Sequence, residues 1–330
     1  MKQDISVIVC TLNEEQHIEE NLNSILKQDY DGKINIFVVD GGSTDQTLTI
    51  IDKFIQNNSN IKQIHNPKVI QSAGRNLAIS QIETELFAYI DAHYLAHNSW
   101  LRELVFNYNY LKDKGNNIAG IGTSWIPADT NEMSISYYYA ISSKLCGAGA
   151  DHLLNNKALK ETNHALMMLY NTKIIKSVGM YNENLPVGED FDLNSRLIKS
   201  SYKIFQNDQA MVAYYPRDTF SKIAKQQYRY GYWRQVVNNL NKISSLNSLI
   251  PAIFVAFLII GFILSIIVPP IIILYFAILV IYLFTVLVGG ALIGLQKSAN
   301  PIFVAAIIFL VHLSYGSGSL FYYFKKPKLK

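Results

Sequence analysis

Apolar and polar residues follow two different periods along about the first 90 positions of the chain. Residues 5–11 form an uncharged run rich in β-branched side chains, and Ile18, Leu22 and Ile25 then recur at helical spacing. Residues 34–39 repeat the apolar run, and Leu48, Ile51 and Ile55 repeat the helical spacing. We also predict strands at about residues 61–64 and 86–90, with a helix between them at about residues 73–82. This alternation predicts an α/β fold, a mostly parallel sheet flanked by helices.

The regular alternation weakens between about residues 125 and 218, where stretches rich in Asn, Gly and Tyr predict loops. One helix is still expected there, because Phe191, Leu193 and Leu197 follow the pair Glu189-Asp190 at a predicted helix start. We therefore predict one domain over residues 1–218, with its first part at about 1–125 and its second at about 126–218.

The last third of the chain has a different pattern. No acidic residue and only one Lys occur between Leu249 and Phe324, and three apolar segments fill the region, at 249–268, 271–295 and 302–324. Each is long enough to cross a bilayer core of roughly 30 Å, whereas three consecutive core helices of a soluble protein would need a polar face. We predict a multi-pass transmembrane region at 246–330. The first residues lack a secretory signal, so the preceding domain is expected to be cytoplasmic.

Charge distribution supports a membrane location. The chain is 50% hydrophobic and 16% charged, and several of its basic residues lie just before the first apolar segment. In the segment 219–245, five basic residues alternate with aromatic ones, as expected of an amphipathic interfacial segment on an anionic leaflet. Nucleic acid could favour a similar patch, but the position beside the membrane argues against it. The basic residues are Lys222, Lys225, Arg229, Arg234 and Lys242.

The number of membrane crossings stays open. Pro269-Pro270 predicts a tight turn between the first two segments, which returns the chain to the cytoplasmic side at Lys297. A third full crossing would then place Lys325, Lys326, Lys328 and Lys330 outside, against the positive-inside rule. Either the third segment or one of the first two therefore does not cross.

Polar turns follow three of the predicted strands. Thr11, Asn13 and Glu14 follow the first, Asp40 to Asp45 the second, and Asp91-Ala92-His93 a later one. Because the carboxyl ends of parallel strands meet at one edge of a sheet, these turns should form one ligand site. Asp40 could accept hydrogen bonds from a base or ribose beside a closely approaching backbone at Gly42, or it could simply build a turn and helix cap.

Asp91 and His93 lie two residues apart at a strand end, so both could reach one cation, although a turn or cap role is the alternative. The chain has neither a Gly-x-Gly-x-x-Gly fingerprint nor a P-loop. A phosphate-rich ligand would therefore need a metal ion or an Arg.

Taken together, these motifs resemble the family 2 glycosyltransferases of GT-A fold. The resemblance covers about residues 4–235 and rests on five motifs in that family's order. Within the family it is nearest to membrane-bound bacterial enzymes of succinoglycan-type exopolysaccharide synthesis. The motifs are Thr11-Leu12-Asn13-Glu14-Glu15, the turn from Asp40 to Thr47, Gly74-Arg75-Asn76, Asp91-Ala92-His93 and Gly188-Glu189-Asp190.

The resemblance implies a role for each matching residue. Asp40 and the turn Thr11, Asn13 and Glu14 would hold the uracil and ribose of a nucleotide sugar, with Gly42 and Arg75 in the same donor pocket. Asp91 and His93 replace an Asp-x-Asp pair that bridges a divalent cation to the diphosphate. Asp190 would be the general base on the acceptor hydroxyl, beside Glu189.

The acceptor side is implied more loosely. His164 would face the acceptor, and Trp125 and Asp151 are further candidates there. Gln226 and Arg229 resemble a Gln-x-x-Arg-Trp element of processive synthases, although Tyr230 replaces the Trp. With Arg234, they would meet the pyrophosphate of a lipid-linked acceptor.

The resemblance thus implies an inverting hexosyltransferase-type enzyme that moves a sugar from a UDP-type donor to a lipid-linked saccharide in cell-surface or exopolysaccharide synthesis. A cation and an Arg would neutralise the leaving diphosphate, and a carboxylate would accept the hydroxyl proton. An imidazole at position 93 suits Mn²⁺ better than Mg²⁺. A catalytically inactive nucleotide-sugar-binding module and a processive polysaccharide synthase are the alternatives.

Overall fold

A computed structural model describes residues 3–146, 159–243 and 246–329. The chain divides into two compact units. The first, called here the α/β unit, comprises Met1–Ala128 and His152–Tyr215, and the second, the helical unit, comprises Asp129–Asp151 and Pro216–Lys330.

The α/β unit begins with the predicted alternation of strands and helices. Its first four strands and three helices lie within a few residues of the predicted positions. In order they are β1 (Ile5–Thr11), α1 (Ile18–Leu26), β2 (Ile34–Asp40), α2 (Thr47–Asn57), β3 (Ile61–His65), α3 (Gln71–Gln81) and β4 (Leu86–Asp91). The elements that follow are β5 (Tyr94–Ala96), α4 (Trp100–Asp113), β6 (Ile118–Pro127), β7 (Leu159–Glu161), β8 (Leu166–Asn171), α6 (Thr172–Ser177), α7 (Glu189–Lys199) and β9 (Lys203–Tyr214).

One mixed sheet of nine strands organises this unit. The strand order is β3-β2-β1-β4-β8-β6-β9-β5, with β7 beside β9. The strands β3, β2, β1 and β4 are mutually parallel, as predicted, whereas β8 runs antiparallel to both β4 and β6. The α/β fold is confirmed, and the loops expected between residues 125 and 218 are corrected: much of that stretch is strand and helix.

Strand register fixes the position of the polar turns. Thr11 lies opposite Asp40, and Cys10 lies opposite Asp91. The carboxyl ends of β1, β2 and β4 therefore meet at one edge of the sheet, where a ligand can bind outside the strands.

The helical unit contains α5 (Glu132–Ser142), a short 3-10 turn (Lys144–Cys146), α8 (Phe220–Leu240), α9 (Leu246–Ile267), α10 (Pro269–Gln296) and α11 (Pro301–Phe324). The helices α9, α10 and α11 are long and apolar enough to cross a membrane, with mean hydropathies of 2.9, 3.0 and 1.7. Pro269 begins α10, two residues after α9 ends, as expected of a tight turn.

Candidate active site

The turns after β1 and β2 are tied together by hydrogen bonds. The Asn13 N–H donates to Ser43 Oγ (2.9 Å), and Asn13 Oδ1 accepts from the Thr44 N–H (2.8 Å). The Glu14 N–H donates to Thr47 Oγ1 (2.8 Å). Asn13 has a φ of 55°, a left-handed conformation that Asn tolerates better than most residues. Thr11, Asn13 and Glu14 thus lie beside the Asp40 turn, and their contact with a nucleotide stays a prediction.

Asp40 builds its own turn. Its Oδ2 accepts from the backbone N–H groups of Gly42 (2.7 Å) and Ser43 (3.0 Å), and its Oδ1 accepts from Ser43 Oγ (2.5 Å). Gly42 has a φ of +91°, which a side chain would strain. Asp40 is only 2% exposed, so the turn role weighed above is present in the structure. Contact between Asp40 and a nucleotide stays a prediction.

Arg75 joins three carboxylates at the centre of the site. Its Nη2 lies 3.0 Å from Asp91 Oδ1, while its Nη1 lies 2.6 Å from Asp190 Oδ1 and 3.2 Å from Glu189 Oε1. The side chain is 1% exposed, and its Cζ lies 4.0 Å from the centre of the Tyr89 ring. The buried guanidinium of Arg75 therefore links the end of β4 to the start of α7.

The start of α7 supplies two of these carboxylates. Gly188 caps the helix with a φ of 83°, so Glu189 and Asp190 lie in its first turn, where the helix dipole favours negative charge. Burial raises the pKa of Glu189 to about 7, helped by the negative charge of Asp190 and opposed by Arg75. Burial also raises the pKa of Asp190, and Arg75 opposes this rise. A carboxylate with a raised pKa is a stronger base than an exposed one.

His93 and Asp91 have different partners. His93 Nδ1 lies 2.9 Å from Glu14 Oε1, while Asp91 Oδ1 accepts from Gln71 Nε2 and from Arg75. Among the described residues, no three His, Cys, Asp or Glu side chains come close enough to hold a metal ion by themselves. Mg²⁺ sites commonly use one or two protein ligands and complete their shell with substrate phosphates and water. Asp91 and His93 are two candidate ligands of this kind, and cation binding by them stays a prediction.

The structure places the acceptor-side candidates in two groups. The His164 ring lies 5.9 Å from that of Phe191, the residue after Asp190, and Trp125 packs against Tyr214. Gln226, Arg229 and Arg234 belong to α8 in the helical unit, where Gln226 accepts from the Tyr137 hydroxyl (3.3 Å) and Arg229 is exposed. Asp151 lies outside the described residues.

Sequence reasoning missed two residues of this site. Gln71 precedes Arg75 by four positions on α3, so the two share one helix face and both reach Asp91. Tyr89 precedes Asp91 by two positions on β4 and stacks on Arg75 from the same face of the strand. Both spacings can be read from the sequence. They indicate a site only once Arg75 and Asp91 are known to be in contact.

Comparison with known proteins shows the family of the chain. The model of glycosyl transferase family 2 matches residues 6–171. A dolichyl N-acetyl-alpha-D-glucosaminyl phosphate 3-beta-D-2,3-diacetamido-2,3-dideoxy-beta-D-glucuronosyltransferase from Methanococcus voltae is 30% identical over 231 residues, covering 69% of this chain and 71% of the relative. The succinoglycan biosynthesis protein ExoA from Rhizobium meliloti (strain 1021) is 27% identical over 229 residues, covering 68% and 67%. The chain belongs to glycosyltransferase family 2.

A solved structure supports the fold. The mannosyltransferase PcManGT from Pyrobaculum calidifontis, in complex with GDP-Man and Mn²⁺, aligns with a TM-score of 0.55 at 15% identity, covering 96% of this chain and 87% of that one. At this identity the similarity concerns the fold alone. The GT-A fold that the resemblance implied is confirmed.

Proposed function

We propose that this glycosyltransferase is an inverting enzyme that moves a sugar from a nucleotide-diphosphate donor, a UDP-sugar, to a lipid-linked saccharide. The observation that carries the proposal is the bridge from Asp91 through Arg75 to Asp190. It brings the carboxylate expected to face the donor and the carboxylate expected to activate the acceptor onto one guanidinium. A binding module without catalysis would not require that second carboxylate.

The reaction is a direct displacement. The acceptor oxygen attacks the anomeric carbon, the bond from that carbon to the diphosphate breaks, and the electron pair leaves with the diphosphate. Asp190 accepts the hydroxyl proton, and Glu189 lies beside it as a second carboxyl group. One displacement inverts the anomeric configuration. Thr11, Asn13, Glu14, Asp40 and Gly42 are assigned to the nucleoside.

A divalent cation would be held by Asp91 and His93 together with the diphosphate. It would supply positive charge to the leaving group. With Nδ1 donating to Glu14, the His93 Nε2 lone pair is available to a metal, the arrangement in which metal-binding His residues are commonly found. An imidazole in place of a carboxylate favours Mn²⁺ over Mg²⁺.

The acceptor and the location follow from the relatives and the apolar helices. The name of the Methanococcus voltae relative describes transfer to a dolichyl phosphate-linked sugar, and ExoA is named for succinoglycan synthesis. We infer a lipid-linked saccharide acceptor in cell-surface or exopolysaccharide synthesis at the cell membrane, with residues 1–218 cytoplasmic. His164 is assigned to the acceptor sugar, and Gln226, Arg229 and Arg234 to its pyrophosphate, with 219–245 at the lipid interface.

The test is a donor screen on membranes from cells that express the full chain. UDP-sugars and GDP-sugars are supplied in turn with Mn²⁺, and the lipid fraction is analysed by mass spectrometry. A UDP-sugar should extend a lipid by one sugar residue, and Asp190→Asn should abolish the product. Asp113→Asn, which changes an exposed carboxylate at the end of α4, is the matched control.

Three results would contradict the proposal. Full activity of Asp190→Asn would remove the assigned base. A ladder of long products on one acceptor would indicate a processive synthase. Nucleotide-sugar binding without transfer or hydrolysis under any tested acceptor would indicate an inactive binding module.

A further inference from the structure

The three apolar helices of the helical unit do not have equivalent surfaces. Large apolar side chains are exposed along the whole of α9 and α10, for example Ile259, Phe262, Ile273 and Phe284. On α11 the exposed large apolar residues are Ile302, Phe321, Tyr323 and Phe324, all near the helix ends. Between residues 303 and 320 of α11, the large apolar side chains are buried or half-buried.

The polar helix α8 packs against α11, and so does α10, whose Tyr282 hydroxyl lies 3.0 Å from His312 Nδ1. A Cβ placed on Gly231 of α8 would lie 2.0 Å from the carbonyl oxygen of Tyr315, and a Cβ on Gly318 would lie 2.0 Å from that of Tyr228. The Ser319 hydroxyl donates to the Gly231 carbonyl (3.2 Å). These close approaches fix α8 against the second half of α11.

The charged residues of α8 argue that the contact between α8 and α11 lies outside the hydrocarbon core of the membrane. Arg234 forms a hydrogen bond with the Tyr315 side chain, in the middle region of α11. Lys225 and Arg229 are exposed on the same helix α8. A charged side chain at the centre of a bilayer costs about 2.5–3.5 kcal/mol or more, so α8 and the helix it packs against are not expected there.

The ends of α11 give a second and independent argument. Its start packs on the end of α10, where a Cβ on Gly294 would lie 2.5 Å from the Pro301 Cα. Its end lies beside the start of α9, because a cavity of about 410 Å³ is lined by Ser248 and Leu249 together with Tyr322 and Lys326.

In a bundle of three crossing helices, the end of α11 would lie beside the turn between α9 and α10, near Val268. It lies instead beside the start of α9. The end of α10 and the start of α9 are the two open ends of one hairpin, and the ends of a hairpin are on the same side of a membrane.

We propose that α9 and α10 alone form the membrane-embedded hairpin, and that α11 stays at the membrane surface with both ends on the side that carries α8. The proposal rests on the membrane attachment proposed above. The tail residues Lys325, Lys326 and Lys328 then face the same leaflet as Lys242, which lines the cavity with Lys326.

The partner of this surface is an anionic phospholipid leaflet. No acidic residue follows Asp218 in the sequence, so these lysines have no carboxylate neighbour within the last 112 positions of the chain of 330. Each Lys close to an anionic membrane surface contributes about 1 kcal/mol of attraction. This arrangement also removes the conflict with the positive-inside rule.

Cysteine labelling in intact cells tests the proposal. Cys10 and Cys146 are replaced by Ser in the full chain, and single cysteines are introduced by Lys225→Cys on α8, Lys297→Cys between α10 and α11, and Lys328→Cys in the tail. All three positions are exposed. A membrane-impermeant maleimide is applied before and after the membrane is permeabilised. We expect all three cysteines to show the same pattern of protection.

Other labelling patterns lead to different conclusions. If the cysteine at position 328 is labelled in intact cells while those at 225 and 297 are protected, α11 crosses the membrane and the proposal is overturned. Protection of position 328 with labelling of 225 and 297 has the same meaning. If all three react in intact cells, the proposal holds and the cytoplasmic location proposed above fails. If the chain remains in the soluble fraction, the membrane attachment fails and this proposal with it. Sugar transfer by each cysteine variant reports that the chain is folded.

Discussion

Arg75 Nη1 lies 2.6 Å from Asp190 Oδ1. The other terminal nitrogen of the same guanidinium lies 3.0 Å from Asp91 Oδ1, so the proposed base and the proposed donor carboxylate share one buried cation. A planar group with two donating nitrogens suits this bridge, whereas an ammonium would act as a single point charge.

The effect of replacing Arg75 should therefore depend on the substitute: one substitution should mainly lower activity, and another should mainly lower stability. Arg75→Lys keeps the charge but loses the forked geometry, and we expect kcat to fall about 100-fold because the base is no longer held in place. Arg75→Met leaves three carboxylates without their cation, and we expect the free energy of unfolding to fall by about 3–5 kcal/mol. Transfer assays and urea unfolding of the full chain in detergent measure the two effects.

An exposed ion pair provides the control for this experiment. Lys68 pairs with Glu183, and the Lys68 side chain is 65% exposed. Lys68→Met should change the unfolding free energy by about 1 kcal/mol or less. Equal losses for Lys68→Met and Arg75→Met would show that burial of the Arg75 cluster contributes nothing.

Stability should depend on pH through Glu189. Its pKa is raised from 4.5 to about 7 in the folded chain, so between these values the folded state holds a proton that the unfolded state has released. Stability from this group is present below pH 4.5 and is lost as the pH rises through about 7. At 1.36 kcal/mol for each pKa unit, the change is at most about 3 kcal/mol.

Glu189→Gln should flatten this dependence, because an amide does not titrate. The measurement is urea unfolding of wild type and variant at pH 5, 6, 7 and 8. A variant whose stability still falls with pH as steeply as wild type would assign the effect to another group.

The hydrogen bond between His93 and Glu14 predicts the behaviour of the cation. Glu14→Gln should weaken Mn²⁺ binding about 10–100-fold, since the partner that orients the imidazole is weakened. His93→Asp should shift the ratio of Mn²⁺-supported to Mg²⁺-supported activity toward Mg²⁺. Electron paramagnetic resonance of Mn²⁺ with UDP present measures the binding directly. Equal wild-type activity with the two ions, unchanged in His93→Asp, would remove the predicted preference.

The contact between α8 and α11 predicts a packing effect. Gly318→Leu would force a side chain against the Tyr228 carbonyl, and we expect the free energy of unfolding to fall by about 1–3 kcal/mol or more. Ser317→Leu changes the neighbouring, half-buried position and should cost less. Thermal unfolding in detergent compares the two, and similar melting temperatures would contradict the close packing.

The first half of the α/β unit was predictable because its strands are uniformly apolar. Residues 5–11 form β1 as predicted, and the predicted strand at 34–39 extends by one residue to Asp40. The family and the GT-A fold were also predictable, because the motifs lie at strand ends in a fixed order. The local structure of the Asp40 turn follows from Asp, Gly and Ser in sequence.

The second half was not predictable from hydrophobic periodicity, and β9 shows why. Its centre is Gln206-Asn207-Asp208, three polar residues that are fully buried. Gln206 donates to Ser124 Oγ (2.9 Å), and the Ser124 hydroxyl donates to Asp208 (2.6 Å). In the sequence, a strand with buried polar residues resembles a loop. The residue that forms hydrogen bonds with these buried groups lies on another strand, so the local pattern does not reveal it.

The partners of Arg75 are far apart along the chain, and this separation affects synthesis. Asp91 lies 16 residues away, but Glu189 and Asp190 lie 114 and 115 residues away. A nascent chain that ends before α7 lacks two of the three carboxylates that pair with Arg75. The final ion pairs of Arg75 can therefore form only after residues 189 and 190 have been synthesised. The same ion cluster that prepares the acceptor for attack thus also sets the earliest point at which the polypeptide can complete its folding.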